Sequence, residues 1–573
     1  MGFRRNKGGK NMNKVIKIKG VLLLMGGLLY SQFQTPYTGD RFQSFRFLST
    51  SGIFEDDLEY ILNPGTIPWV KTRLLFTSLS NFATNSDALF GNISSGYFMI
   101  GTKLDFIGGL GISPLYDNYI LKTPEWNGID TGYTEIENIT HMDIDSNGTF
   151  DRRIKEKEIR EAYNEWNSSD IYIGAGKDMG NFKAGLFYFL STGGLKEILP
   201  GSQADIFGNF EYHYELYDIE NSKRLQTEDW KGIQDANYTK TRNLFGLSLL
   251  YQPSEFFFLN FIGGFGILSI DSLYSANTDY LLDFAPDENI NNYEKGNAKR
   301  EIDLSNSGNL FFTRFYGKKK WEYGGETYFY IDLRRESISK KTGTKDSNIY
   351  YEVRTNLGAF DEIYTYDSKT HQDITNDGNS NSWMIGLKHI IPVFEKGIFG
   401  IGFALKNEIS DRSFEINEKY ILNERYDDGD GIPDEDDYTL YGEMYRKFEN
   451  LYSSSLWNIM IPCGIEINFL KNLSLRLGAN SVVEIGEKQN TINPISSTPL
   501  ILTRVDGIGD TTTIYDTLIV DEGGTNLKKI KESYTNYSFG IGWDISKNFS
   551  LDFMGFTDLV NLTNWRLSLK VKF

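Results

Sequence analysis

The chain ends on the stretch NWRLSLKVKF, residues 564–573, and this stretch decides the fold. Apolar residues occupy every second position, and the apolar set is Trp565, Leu567, Leu569, Val571 and Phe573. Because successive side chains of a strand point to opposite faces, this strand has one apolar face and one polar face. In a soluble protein the apolar face would line a core. In a membrane barrel it would face lipid and leave the polar face in a wet lumen.

The same alternation recurs along the chain. It is clearest in 398–406, 457–469, 472–480 and 536–545. Weaker versions occur at 97–106, 171–177, 182–191, 244–251, 256–267, 326–334, 383–391 and 549–556. This period of two residues is the main sequence signal of a β-strand, so it predicts many strands of similar length.

The connections between the predicted strands fall into two classes. Tight turns surround Gly180, Pro253, Lys396, Lys471 and Lys547. Long polar segments lie between them, at 112–168, 192–241, 268–308, 335–381, 407–455 and 486–534. Short turns at one end and long loops at the other are typical of outer-membrane barrels, in which closure satisfies every backbone group in lipid. We therefore predict an all-β chain, a single antiparallel up-and-down transmembrane β-barrel of about 14–16 strands with short periplasmic turns and long extracellular loops.

Composition excludes several other classes of protein. The chain has 573 residues, of which 40% are hydrophobic and 15% aromatic, and a mean hydropathy of −0.38 argues against a bundle of transmembrane helices. The net charge of −18 argues against nucleic acid as a partner. The single cysteine, Cys463, excludes an internal disulfide framework.

The front of the chain reads as a targeting segment. From Met12 it runs MNKVIKIKGVLLLMGGLLYSQ, a basic region followed by a short apolar run and small residues. We expect a signal peptide at 1–31, an N-terminal periplasmic segment at 32–68 and the barrel at 69–573. The mature chain would then be exported to a bacterial outer membrane.

With a signal peptide, amphipathic strands and a terminal aromatic strand, the chain resembles Gram-negative outer-membrane β-barrel proteins of the porin-like class from about residue 69 onwards. The resemblance implies contact with outer-membrane lipid, and it implies that the barrel-assembly machinery recognises the terminal strand ending in Phe573. The stretch YILNPGTIPW (60–69) is also similar to the Asn-Pro start of long-chain fatty-acid transporter-like barrels. No plug domain is expected ahead of the barrel.

Two acidic loop stretches have the spacing of calcium sites, because oxygens at every second residue beside a Gly suit a hard cation. In HMDIDSNGTFD (141–151) the candidate ligands are Asp143, Asp145, Asn147 and Asp151. The acid expected at the last position of this pattern is absent, since Ile154 stands there. In YDDGDGIPDEDD (426–437), which resembles thrombospondin type 3 repeats, the candidates are Asp428, Asp430, Asp434 and Asp437. The alternative is that both stretches are solvated turns. Ca²⁺ is therefore an expected cofactor that would order loops.

Charged residues on the polar faces are expected to line a lumen. They are Lys103, Asp105, Lys183, Lys406, Glu466, Arg476, Asp544, Asp552, Arg566 and Lys570. Such charges can set ion selectivity or can pair across the barrel as a filling. Small inward residues such as Gly400 and Gly540 favour an open lumen.

The sequence therefore favours a porin-like passive channel for small solutes. The alternatives are a non-conducting surface or adhesive barrel that binds a partner or glycan through its loops, and a hydrophobic-solute transporter. The four histidines are scattered and no catalytic motif is present, so an enzyme is not expected.

Overall fold

The computed structural model describes residues 42, 44–80, 94–106, 108–124, 133–198, 208–284, 286–287, 292–356, 361–393, 396–516, 523–556 and 566–573. The expected signal peptide at 1–31 lies outside these residues. Within them the chain forms one 21-stranded sheet and two short α-helices. None of the helices in the described part of the chain has the length and apolarity needed to cross a membrane.

The strands are defined as follows. The first ten are β1 (Leu74–Ser80), β2 (Ser94–Phe106), β3 (Leu110–Pro124), β4 (Tyr133–Met142), β5 (Arg152–Glu161), β6 (Tyr163–Met179), β7 (Phe182–Ile198), β8 (Phe210–Asp218), β9 (Lys223–Ser254) and β10 (Phe257–Asp283). The others are β11 (Tyr293–Lys320), β12 (Glu326–Asn356), β13 (Asp361–Val393), β14 (Gly397–Asp427), β15 (Tyr438–Leu470), β16 (Leu473–Ser497), β17 (Leu500–Asp506), β18 (Thr511–Asp516), β19 (Gly524–Ser546), β20 (Phe549–Phe556) and β21 (Arg566–Lys572).

Sixteen of the described strands close into one antiparallel ring. Its order is β1–β2–β3–β6–β7–β9–β10–β11–β12–β13–β14–β15–β16–β19–β20–β21, and β21 pairs back onto β1. The predicted all-β up-and-down barrel is therefore confirmed. The terminal strand closes it, because Leu74 to Ser80 of β1 pair in register with Lys572 to Arg566.

The ring turns an apolar face outward near its tight turns. In β7 the side chain of Leu186 is 67% exposed, whereas the next residue, Phe187, is only 4% exposed. The same outward pattern is present in other strands of the ring, as at Leu249, Phe265, Phe311, Ile385, Phe403 and Ile461. Trp383 and Trp457 meet edge-on at the upper limit of this band, with ring centroids 5.4 Å apart, as interfacial aromatic residues do in outer-membrane barrels.

Most of the ring rises well above the apolar band. β13 and β15 each have 33 residues, whereas about 9–11 residues cross a membrane as a tilted strand. Segments 335–381 and 407–455, which we expect to be loops, are therefore mainly strand. The alternation of apolar and polar residues does not mark these segments, because polar residues occupy both of their faces above the apolar band. Two side sheets extend this wall, β4–β5–β8 on β9 and β17–β18 on β15.

The N-terminal segment contains the two short helices, α1 (Phe45–Ser49) and α2 (Asp57–Leu62), and a 3-10 turn at Ile67–Trp69. Ser44 caps α1 by accepting from the Phe47 N–H, and Asp56 and Glu59 form a capping box on α2. We call residues 44–70 the plug.

The plug lies inside the ring at the tight-turn end, whereas the sequence predicts a periplasmic segment at 32–68 and no plug domain; residues 32–41 and 43 of that segment lie outside the described part of the structure. Its backbone and side chains touch glycines on opposite walls. A Cβ on Gly185 of β7 would lie 2.4 Å from Pro64, and one on Gly464 of β15 would lie 2.7 Å from the Thr50 carbonyl oxygen. The physical reason is burial, because helices this short are stable only when their apolar residues pack against a wall. Phe45, Phe47, Ile53, Phe54 and Ile61 are all buried.

Candidate functional site

The plugged end of the lumen is the candidate functional site, and ion pairs hold the plug there. Glu55 of the plug pairs with Lys388 of β13, with Nζ and Oε1 2.9 Å apart. The Lys388 side chain is 0% exposed and that of Glu55 is 9% exposed. Tyr316 and Tyr330 donate hydroxyl hydrogen bonds to the same carboxylate at 3.0 and 3.3 Å. Burial alone would raise the pKa of Glu55, but the Lys388 ammonium holds it below its usual value.

A second contact joins the plug to the terminal strand. Lys570 of β21 lies 2.9 Å from Asp56 and 3.3 Å from Asp57, and Lys572 lies 3.4 Å from Asp57. Burial would raise the pKa of Asp56, but Lys570 and Arg46 hold it well below its usual value. The plug therefore braces the strand that closes the ring.

A third contact is a chain of alternating charges across the lumen. Arg46 of α1 pairs with Glu466 of β15 at 2.9 Å, and Glu466 pairs with Arg476 of β16 at 2.8 Å. Arg476 in turn binds Asp552 of β20. Positive and negative side chains alternate along this series, so each buried charge faces a partner of opposite sign. Buried ions are tolerated under this condition.

The predicted lumen charges have different surroundings. Glu466, Arg476, Asp552 and Lys570 come together around the plug, as described above. Lys103 is fully buried and binds the Val70 carbonyl and Asp105.

The other predicted lumen charges are more peripheral. Lys183 donates to the Gly180 carbonyl at 3.0 Å, and Lys406 pairs with Glu408 at 3.0 Å. Asp544 is exposed and accepts a hydrogen bond from Ser550. Arg566 lies in β21, and its side chain is outside the described part of the structure.

The sequence predictions do not include Lys388 or the plug residues of the ion pairs. Arg46, Glu55 and Asp56 lie in the segment predicted to be periplasmic, and their partners lie more than 300 residues away in the chain. Lys388 lies within the strand predicted at 383–391, and its alternation with Leu387 and His389 could have placed it on the inner face. Gly400 and Gly540 do not keep the lumen open, because Cβ atoms there would lie 2.3 Å from Ile53 and 2.7 Å from Ser49.

The inner wall on the β6–β11 side is apolar where it meets the plug. Leu58, Ile61 and Leu62 of α2 belong to one buried cluster with inward residues of these strands, among them Tyr172, Phe187, Phe189, Leu244, Ile262, Leu310 and Phe312. Tyr172 also donates its hydroxyl to the Leu62 carbonyl at 3.0 Å. Apolar packing also holds the plug on the side of its ion pairs, because Phe47, Ile53 and Phe54 form a second buried cluster with residues such as Met384 and Met460.

The acidic stretches gather carboxylates at the far end of the ring. One oxygen from each of Asp143, Asp145 and Asp151 lies within 4.8 Å of the others, as do oxygens of Asp428, Asp430 and Asp434. Asp437 forms a further group with Asp427 and Asp428. Asn147 donates its backbone N–H to Asp143 and Asp145, and its side-chain oxygen accepts from Thr149. Oxygen clusters of this kind can hold a hard divalent cation.

Phe573 is 62% exposed at the end of β21, and its backbone N–H donates to the Arg73 carbonyl at 3.1 Å. The aromatic carboxyl terminus therefore stands at the tight-turn end, beside the first strand of the ring.

No protein-family model matches the chain, and no curated protein matches it. Among solved structures it is similar to a deltaS2S3 mutant of the monoaromatic hydrocarbon channel TodX, with 11% identity over 92% of this chain and 96% of that chain and a TM-score of 0.31. The P. putida toluene transporter TodX has 10% identity over 93% and 99%, with a TM-score of 0.31. A mutant ferric enterobactin receptor, PfeA, from Pseudomonas aeruginosa has 9% identity over 88% and 80%, with a TM-score of 0.27.

The closed ring, its outward apolar band and its tight turns at one end together define the architecture. In fold, the chain is a closed antiparallel β-barrel of sixteen strands with residues 44–70 inside its lumen.

Proposed function

We propose that the protein resides in a bacterial outer membrane and passes small apolar or amphipathic solutes by passive diffusion, with the plug as its gate. The observation that carries this proposal is the apolar wall of β6–β11 packed against α2. A water-filled porin has a polar interior, whereas this wall offers an apolar solute a surface once α2 moves. The proposal therefore combines the expected passive channel with the expected hydrophobic-solute transporter.

The ion pairs support a gate that opens by displacement. Glu55, Asp56 and Arg46 each bind a different part of the wall, so the plug can leave only when several pairs separate together. Buried pairs of this kind give a well-defined position at modest net stability, since desolvation offsets much of their attraction. A gate needs both a well-defined closed position and a closed state of modest stability, so that it can open.

The test is planar-bilayer conductance and liposome uptake of an apolar dye by the full chain. We expect the parent protein to be nearly silent, and we expect Lys388→Met to give discrete steps and faster dye uptake. The matched control is Lys299→Met, which removes an exposed ion pair with Glu301 on β11. If Lys388→Met releases the plug but stays silent to ions and dye, the transport proposal fails and the alternative of a non-conducting surface barrel is favoured.

We propose in addition that the acidic stretches at 143–151 and 428–437 bind Ca²⁺ and order the outer loops. The grouping of their carboxylates supports this, as does the left-handed backbone at Gly148 and Gly431, with φ of +89° and +77°, which bends each loop around its oxygens. The role proposed for the cation is structural.

A further inference from the structure

A row of aromatic rings follows the inner face of the barrel near its long-loop end. We call it the aromatic strip, and its members are Trp230, Tyr280, Tyr351, Tyr364, Tyr426 and Tyr438. Trp230 and Tyr280 stack with centroids 4.3 Å apart, and Tyr280 and Tyr351 are 6.2 Å apart. Tyr351 and Tyr364 are 6.1 Å apart, and Tyr426 and Tyr438 are 5.7 Å apart. The rings therefore form a nearly continuous surface across β9 to β15.

Register places the strip on the inner face. The β9–β10 ladder is unbroken from Trp230 paired with Tyr280 down to Leu244 paired with Gly266. Leu244 is buried in the lumen, so the even-numbered residues of β9 and β10 share that face. In the same way Tyr364 pairs with Tyr426, and an unbroken ladder joins this pair to Lys388, which faces the plug.

A glycine lets the row cross the intervening strand. Gly296 of β11 lies between Tyr280 and Tyr351 in the register. A Cβ there would lie 2.2 Å from the Tyr280 ring, so any other residue would push this ring away from Tyr351. The continuity of the strip depends on this close approach.

Carboxylates accompany the rings. Tyr280 donates to Glu294 at 3.4 Å, Tyr426 donates to Glu362 at 2.8 Å, and Tyr438 donates to Glu424 at 2.8 Å. In the described part of the chain none of these three glutamates forms an ion pair with Lys, Arg or His. The inner face at this end therefore combines electron-rich rings with carboxylates.

One cation of the protein already uses this surface. The Arg504 guanidinium lies over the Tyr438 ring, 4.5 Å from its centroid, at one end of the strip. Aromatic faces attract cations through the ring quadrupole, and nearby carboxylates add a longer-range attraction. We infer that the aromatic strip is a binding site for small organic cations with an apolar body, located in the outer mouth of the barrel.

The test measures binding of benzyltrimethylammonium to the detergent-solubilised full chain by titration calorimetry. Benzyl alcohol and benzoate are the neutral and anionic matches of this probe. We expect binding of the cation, about two- to fivefold weaker binding for Tyr280→Leu, and a similar loss for Glu294→Gln. Neutral and anionic probes should bind at least tenfold more weakly.

Two variants make the result specific. Tyr350→Leu is the matched control, because Tyr350 neighbours Tyr351 in β12 but points to the outer face, where it donates to Glu352. It should bind the probe as the parent does. Equal binding of benzyl alcohol, or unchanged binding in both Tyr280→Leu and Glu294→Gln, would overturn the inference. Loss only in Asp428→Ala would also overturn it, by assigning the cation to the acidic loop.

Discussion

The pair between Glu55 and Lys388 gives the sharpest test of the gated lumen. Replacing Lys388 by Met keeps most of the side-chain volume but leaves the buried Glu55 carboxylate without its cation. Breaking a buried ion pair on one side costs about 3–5 kcal/mol. The Tyr316 and Tyr330 hydroxyls still donate to Glu55, so we take the lower end of this range.

A loss of about 3 kcal/mol corresponds to about a hundredfold increase in the population of the displaced plug. We expect amide hydrogen exchange in α1 and α2 to accelerate by about this factor in Lys388→Met. Exchange in β13 above the plug should change little, because its backbone there is paired with β12 and β14 and not with the plug. The assay is hydrogen exchange with mass spectrometry on the detergent-solubilised full chain.

The double variant Glu55→Gln with Lys388→Met removes both charges and should restore most of the protection, since no unpaired charge remains buried. Lys299→Met, which breaks an exposed pair, should behave as the parent does. If α1 and α2 keep parental protection in Lys388→Met, the pair does not hold the plug. If single and double variants lose protection equally, packing is responsible and the electrostatic reasoning is refuted.

Further predictions concern the plug, the seam and the loops. Burial raises the pKa of Glu59 to about 7 from an ordinary 4.5, so the seated plug binds this proton more tightly than the displaced plug does. Exchange protection of α2 should therefore increase as pH falls from about 7 to 4.5 and stay constant above 7, and Glu59→Gln should abolish this change. Lys570→Met should lower the temperature at which the barrel loses its compact electrophoretic mobility, because it releases Asp56 and Asp57 from β21; an unchanged transition would show that the plug does not brace the seam. Ca²⁺ should raise the melting temperature of the parent protein but not of the Asp428→Ala, Asp430→Ala variant, and the absence of any shift in the parent would remove the calcium proposal. Deleting Phe573 should reduce assembled barrel in the outer membrane while leaving export intact, as measured by cell fractionation, and normal assembly would contradict its role as a signal.

The terminal stretch was correctly predicted to be a strand of the barrel. The alternation at 567–573 depends only on an apolar surface outside and a polar lumen inside, so it can be recognised from the local sequence. The same reasoning found the strands around 398–406 and 457–469 and the tight turns at Lys471 and Lys547. Each of these features lies in or beside the apolar band, where burial in lipid forces polar and apolar residues to alternate.

The plug and the parts of the strands above the apolar band could not be predicted from local alternation. Above the membrane both faces of β13 and β15 meet water or polar neighbours, so no alternation marks 361–381 or 438–455 as strand. The plug has apolar residues without a strong period, and its helices are too short to be recognised alone. Its role depends on partners more than 300 residues away, such as Lys388 for Glu55 and Lys570 for Asp56.

The sequence by itself therefore determined that the chain makes a closed β-barrel, because the hydrophobic effect in lipid leaves a mark at every second residue. Only the tertiary structure decided what fills the barrel. The charges that hold the plug become neighbours only when the ring closes. Ion pairs between residues far apart in the chain produce no repeating pattern in the sequence.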